Sequence, residues 1–200
     1  MPSLSQLAIL ATAAFAAFSS AAPVVTSKRD LVPLPAILSQ LASDLAPVTS
    51  LLSSINLANA TAEVVTPITD ELQSILSGVV PEIEALAGNP VSTILSTVDG
   101  VLSVADAAQL VATPINLVSG ALGNVLAVVE NSPAVAIITP LLGDVSGVVG
   151  TVLTDISPLV DGLLTAAAPL IEDVVGTLDN LGLGPVIATI GPLAGLLEGL

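Results

Sequence analysis

The sequence predicts an all-α protein, a multi-helix bundle of short, Pro-capped amphipathic helices with a Gly-rich, hydrophobic C-terminal half. Three observations carry this prediction. Leu34, Leu38, Leu41, Leu45, Val48, Leu52 and Ile55 step by four and three, and Val65, Ile68, Leu72, Ile75, Val79, Ile83 and Leu86 advance in similar steps. Such spacing places each set on one face of a helix. Six prolines follow good helix-capping residues, in Thr66-Pro67, Asn89-Pro90, Thr113-Pro114, Ser132-Pro133, Thr139-Pro140 and Ser157-Pro158. There the side-chain oxygen satisfies an orphan N–H, and proline has none to orphan. Third, Asp70 and Glu71, Glu82 and Glu84, Asp144, Asp161, and Glu172 and Asp173 fall in the first turns these starts would give. Carboxylates in first turns suit the positive end of the helix dipole.

Taken in order, these marks predict helices near 34–57, 62–78, 81–87, 90–111, 114–129, 133–153, 158–166, 169–180 and 185–198. Pro47 and Pro81 interrupt periodic runs, so each is expected to kink or restart its helix. Glycine divides the chain, with 3 in residues 1–100 and 12 in residues 101–200. Residues 30–100 read as an amphipathic helical half. Residues 101–200 read as a Gly/Val/Leu-rich half packed with the first as one domain. The pairs Gly143/Gly147, Gly191/Gly195 and Gly195/Gly199 have the spacing that lets helix backbones approach closely.

Residues 1–22 read as a secretory signal peptide. Leu7–Phe18 is an apolar run, and Ser19-Ser20-Ala21-Ala22 offers small residues for cleavage. Residues 23–29 form a short pro-segment ending in Lys28-Arg29, the only two basic residues of the chain. An adjacent basic pair on an extended segment fits a kexin-type processing protease, whose carboxylate-lined cleft takes two cations. Pro23 helps to keep that segment extended. A chain cut there keeps all 17 acids and neither base. It also loses Phe15 and Phe18, the only aromatics.

That composition excludes several functions. No His and no Cys means no imidazole or thiolate metal site, no Ser-His triad and no disulfide framework. A polyanion without Lys or Arg does not bind nucleic acid, and anionic membranes repel it. The paired carboxylates Asp70/Glu71, Glu82/Glu84 and Glu172/Asp173 lack any Trp, Tyr, His or Arg with which to build a sugar site. They form no EF-hand pattern either. No enzyme activity, cofactor or metal ion is expected. Ala107–Val129 carries no charge and is long enough to span a bilayer, yet Gln109, Pro114, Asn116 and Asn124 interrupt it. It is not expected to span a membrane. Asn59-Ala60-Thr61 is the single N-glycosylation sequon, in a polar break between two predicted helices.

The signal peptide, the Lys28-Arg29 site and the Cys-free Leu/Ile/Val helices over about residues 31–130 resemble small secreted fungal cell-wall proteins. The nearest group is the hydrophobic surface binding protein A / cell-wall galactomannoprotein family. A second similar group is the structural cell-wall proteins of mushroom-forming fungi, with a more polar first half and a hydrophobic second half. The chain departs from both in losing all Lys and Arg from its mature part, and the Gly-rich half lies largely outside the likeness. The resemblance implies an all-helical, non-enzymatic protein of the cell wall or extracellular matrix. Its partners would be hydrophobic surfaces or cell-wall polymers, with self-association left open. A secreted carrier of lipids or small apolar molecules and a secreted host-interaction protein are the alternatives.

Processing at Lys28-Arg29 makes a simple prediction. The secreted protein should resist trypsin even in urea and show almost no near-ultraviolet absorbance. Tryptic fragments from the secreted form would refute the cut.

Overall fold

The four-three apolar spacing of the first half folds into two long helices, α1 (Leu34–Ser53) and α2 (Ala62–Glu84). A short helix α3 (Val91–Ile94) and a small hairpin of β1 (Ser96–Thr97) and β2 (Gly100–Val101) lead into α4 (Val104–Val129), α5 (Val135–Ile156) and α6 (Leu163–Leu178). The computed structural model describes residues 31–179, with backbone alone over 173–178. These residues are overwhelmingly helical and pack as an all-α bundle.

The helices pair across the glycine boundary. α1 lies against α2 and α4, α2 against α5, and α4 against α6. Contact between α4 and α5 is sparse, although only residues 130–134 separate them. Leu38 and Leu41 of α1, Leu76 of α2, Ile115 of α4 and Leu153 of α5 meet at the centre of this four-helix ring. Every buried hydrophobic residue among those described is Leu, Ile, Val or Ala.

Predicted and observed boundaries differ most at proline. Pro67, Pro114 and Pro140 start no helix; they stand inside α2, α4 and α5, as Pro47, Pro81 and Pro169 stand inside α1, α2 and α6. The expected helices 62–78 and 81–87 are therefore one, and α6 runs through Pro169. An interior proline loses the bond to the carbonyl four residues back. Five of these six prolines face solvent, where water reaches the freed carbonyl. Only Pro114 is buried. After Pro47 and Pro67 the chain turns two residues inward, Val48-Thr49 and Ile68-Thr69. Both threonine hydroxyls bond back along their own helix, Thr49 to the carbonyl of Leu45 (3.0 Å) and Thr69 to that of Thr66 (2.9 Å). Neither buries an unmet polar group.

Three proline pairs lie outside the long helices. Pro90 caps α3, while Asn89 instead donates to the carbonyls of Ala85 and Leu86 at the end of α2. Ser132 accepts the Ala134 N–H in the turn before α5. Ser157-Pro158 ends α5.

The helix expected over 90–111 is broken by the hairpin. Val98-Asp99 forms its turn, and Gly100 sits at φ +138°, a conformation that excludes other side chains. Thr97 Oγ1 accepts the Asp99 N–H and donates to the Gly100 carbonyl. The helix restarts at Ser103, whose Oγ accepts the Asp106 N–H (3.1 Å) and donates to Asp106 Oδ2 (2.6 Å). Ser-x-x-Asp before an apolar run is a capping box, a signal present in the sequence.

The first-turn acids are also corrected. Glu63 and Asp106 hold those places. Asp70 and Glu71 lie mid-helix in α2, Asp144 in α5 and Glu172 in α6, and Asp161 sits between α5 and α6. Glu82 and Glu84 fall in the last turn of α2, the unfavourable end of the dipole. The close approach expected at Gly143/Gly147 is absent at Gly147, where a Cβ would meet open space. Both later glycine pairs and the expected helix 185–198 lie outside the described residues.

Pro140→Ala restores an N–H to the Ala136 carbonyl on an exposed face. It should stabilise the fold by about 1–3 kcal/mol, read from urea unfolding followed by circular dichroism. An unchanged midpoint would show that α5 carries no proline strain.

Candidate functional site

The site residues expected from the sequence do not converge. Lys28 and Arg29 lie outside the described residues. Asn59 sits in the turn between α1 and α2, where its Oδ1 accepts the Asn56 N–H (2.6 Å). The turn is further closed by Asn59 N–H to the Asn56 carbonyl and Thr61 N–H to the Asn59 carbonyl. Asn59 itself is half-buried, beside the exposed Leu57.

The paired carboxylates are solvated. Asp70, Glu82, Glu84 and Glu172 are exposed and Glu71 is half-exposed. Among the described residues no three acidic side chains gather as a metal site. Glu63 has a displaced titration. Its own backbone N–H and the Thr61 hydroxyl hold its carboxyl below the ordinary value of 4.5. A lowered folded value means that this stabilisation is complete above 4.5 and fades as pH falls through the lowered one. Glu63 is fully exposed, so the effect is small.

What the bundle offers is an aliphatic interior and an unpaired acidic surface. At the centre of the four-helix ring lies a void of about 20 Å³. Its lining side chains are apolar: Leu38 and Leu41 of α1, Leu76 of α2, Val111, Pro114 and Ile115 of α4, and Val149, Val152, Leu153 and Ile156 of α5. That volume holds one water at most, and the apolar walls give it nothing to bond to. It holds no lipid. Large hydrophobics are exposed at Leu31 and Val32 before α1, Leu57 in the turn after it, Val91 on α3, Val98 and Val101 on the hairpin, Ile137 on α5 and Leu170 on α6.

Both α4 and α5 are long and apolar enough to cross a membrane. In the bundle 50% of the most apolar stretch of α4 is buried but only 39% of that of α5. Among the described elements α4 is flanked by α1 and α6, whereas α5 leans mainly on α2.

Several carboxylates stand at negative helix ends: Glu82 and Glu84 on α2, Glu130 just after α4, Asp155 in the last turn of α5. No basic residue occupies the last turn of these helices. Asp155 Oδ2 is shut off from solvent and meets no hydrogen-bond donor. The missed signal was simple: acids late in an apolar run, with no lysine to answer them.

Glu84→Lys should therefore stabilise α2 by about 0.3–1 kcal/mol at low ionic strength, measured by thermal unfolding. The gain should shrink in salt; a salt-independent change would point to another cause. Comparisons of the chain with protein-family models, with curated proteins and with solved structures return no match.

Proposed function

We propose that this is a secreted, non-enzymatic protein of the cell wall or extracellular matrix, of fungal type, that adsorbs to hydrophobic surfaces through its aliphatic helices. The observation that carries this reading is the pairing of an aliphatic core, its hydrophobic side chains dominated by Leu, Ile, Val and Ala, with a surface whose carboxylates have no cation to meet among the described residues. Burial of aliphatic area contributes roughly 25 cal/mol per Å² whether the area meets another helix or an oil. Without aromatic stacking or ion pairs, little beyond this non-directional term favours the closed bundle. The negative charge keeps the free protein soluble and its copies apart.

The signal peptide and Lys28-Arg29 support export, and Asn59 is the proposed N-glycan acceptor. Hydrophobic surfaces or cell-wall polymers are the proposed partners. The central void of only about 20 Å³ favours adsorption over carriage of a lipid, which needs a cavity of at least roughly 300 Å³.

The test is pendant-drop tensiometry of the mature protein at an oil–water interface, with circular dichroism of the adsorbed film. At micromolar concentration it should lower the tension and stay helical. Adsorption should strengthen between pH 7 and about pH 4, as carboxylates begin to protonate. Weaker adsorption at the lower pH would refute the role given to charge, and an unchanged tension would refute the function.

A further inference from the structure

We infer that the bundle opens at one place, the mouth between the first half of α4 and the second half of α5. This deepens the adsorption reading and rests on it for its purpose. The connector at 130–134 ties α4 to α5 at one end. The void lies away from that tie, on Val111, Pro114 and Ile115 of α4 and on Val149, Val152, Leu153 and Ile156 of α5. Ile115 is fourteen residues before the end of α4, and Val149 is fourteen after the start of α5. At 1.5 Å per residue both are about 21 Å from the tie. Leu38 and Leu41 of α1 and Leu76 of α2 line the void too. But α1 and α2 also pack firmly on a neighbour, whereas α4 and α5 are joined at one end and touch little beyond it. Their packing is therefore weakest at the free end.

The rest of the ring is closed more firmly. α1 packs extensively on α4, α2 on α5 and α6 on α4, while α4 and α5 touch little. Among the long described helices that adjoin in the ring, parting α5 from α4 thus breaks the fewest contacts, and it bares aliphatic side chains of both. Asp155, which lies in sequence between the void-lining Leu153 and Ile156, hides Oδ2 from water with no donor, a local cost that the closed form carries.

The absence of cysteine makes the test clean, because any thiol introduced is unique. Four single variants, Val111→Cys, Leu153→Cys, Val125→Cys and Ala167→Cys, replace side chains that are almost completely buried. Static burial therefore predicts equal, slow reaction with a thiol reagent. Opening at the mouth predicts that the first two react at least ~10-fold faster than the last two in solution at neutral pH, and faster still on an oil emulsion. Hydrogen exchange of the unmodified protein supplies the variant-free measurement: amides of residues 149–156 should exchange before those of residues 118–129. Uniform labelling together with uniform exchange would overturn the inference. Tension lowered with uniform labelling would leave adsorption standing and remove the mouth; fast labelling at Leu153→Cys with tension unchanged would do the reverse.

Discussion

Burial of branched aliphatic side chains has to hold this bundle together, because the described residues contain no basic group to pair with their carboxylates and no aromatic ring to stack. Aliphatic burial is strong in sum and indifferent to direction. Leu45, Leu72, Leu122 and Leu153 reach nearly complete burial by being turned inward on successive helices. Helix pairing across the glycine boundary, α1 with α4 and α2 with α5, follows from the same need. Each amphipathic face of the first half finds its cover in the more apolar second half.

The prolines show how far that term can be pushed. Pro47, Pro67, Pro81, Pro140 and Pro169 each remove a helical hydrogen bond on the solvent side, and the helices continue because their opposite faces are buried. Tertiary packing overrides a local cost of about 3 kcal/mol per interior proline. Such a chain has good burial and poor local helix stability. Its helices persist where an apolar face is covered, by a neighbouring helix or by another apolar phase.

Legibility of the sequence divides along the same line. The apolar faces of α1 and α2 were plain, since Leu34 to Ile55 and Val65 to Leu86 repeat at the period that burial demands. Proline pairs misled, because Thr-Pro is as compatible with an exposed position inside a well-packed helix as with a first turn. The acids misled with them: Glu82 and Glu84 end α2 because Pro81 does not begin a helix. The capping box at Ser103 and the turn at Gly100 were written locally and could have been read. The turn at Asn59 was legible as a polar break. The α4–α5 mouth was not, because it depends on which distant helices pair, and no single segment encodes that.

Charge placement decides whether an opening bundle must desolvate anything. Asp70, Glu82, Glu84, Asp99, Asp106, Glu130, Asp144 and Asp161 are already exposed. They stay in water whether α5 is packed or parted, so they add nothing to the barrier beyond their mutual repulsion, which favours expansion. Asp155 is different: one of its oxygens is shut off from solvent without a donor. A lysine on α4 or α5 would have tied the two helices and removed this bias. A chain that keeps both helices free of basic residues keeps their seam free of ion pairs, and its aliphatic faces can then change partners without any charge losing its water.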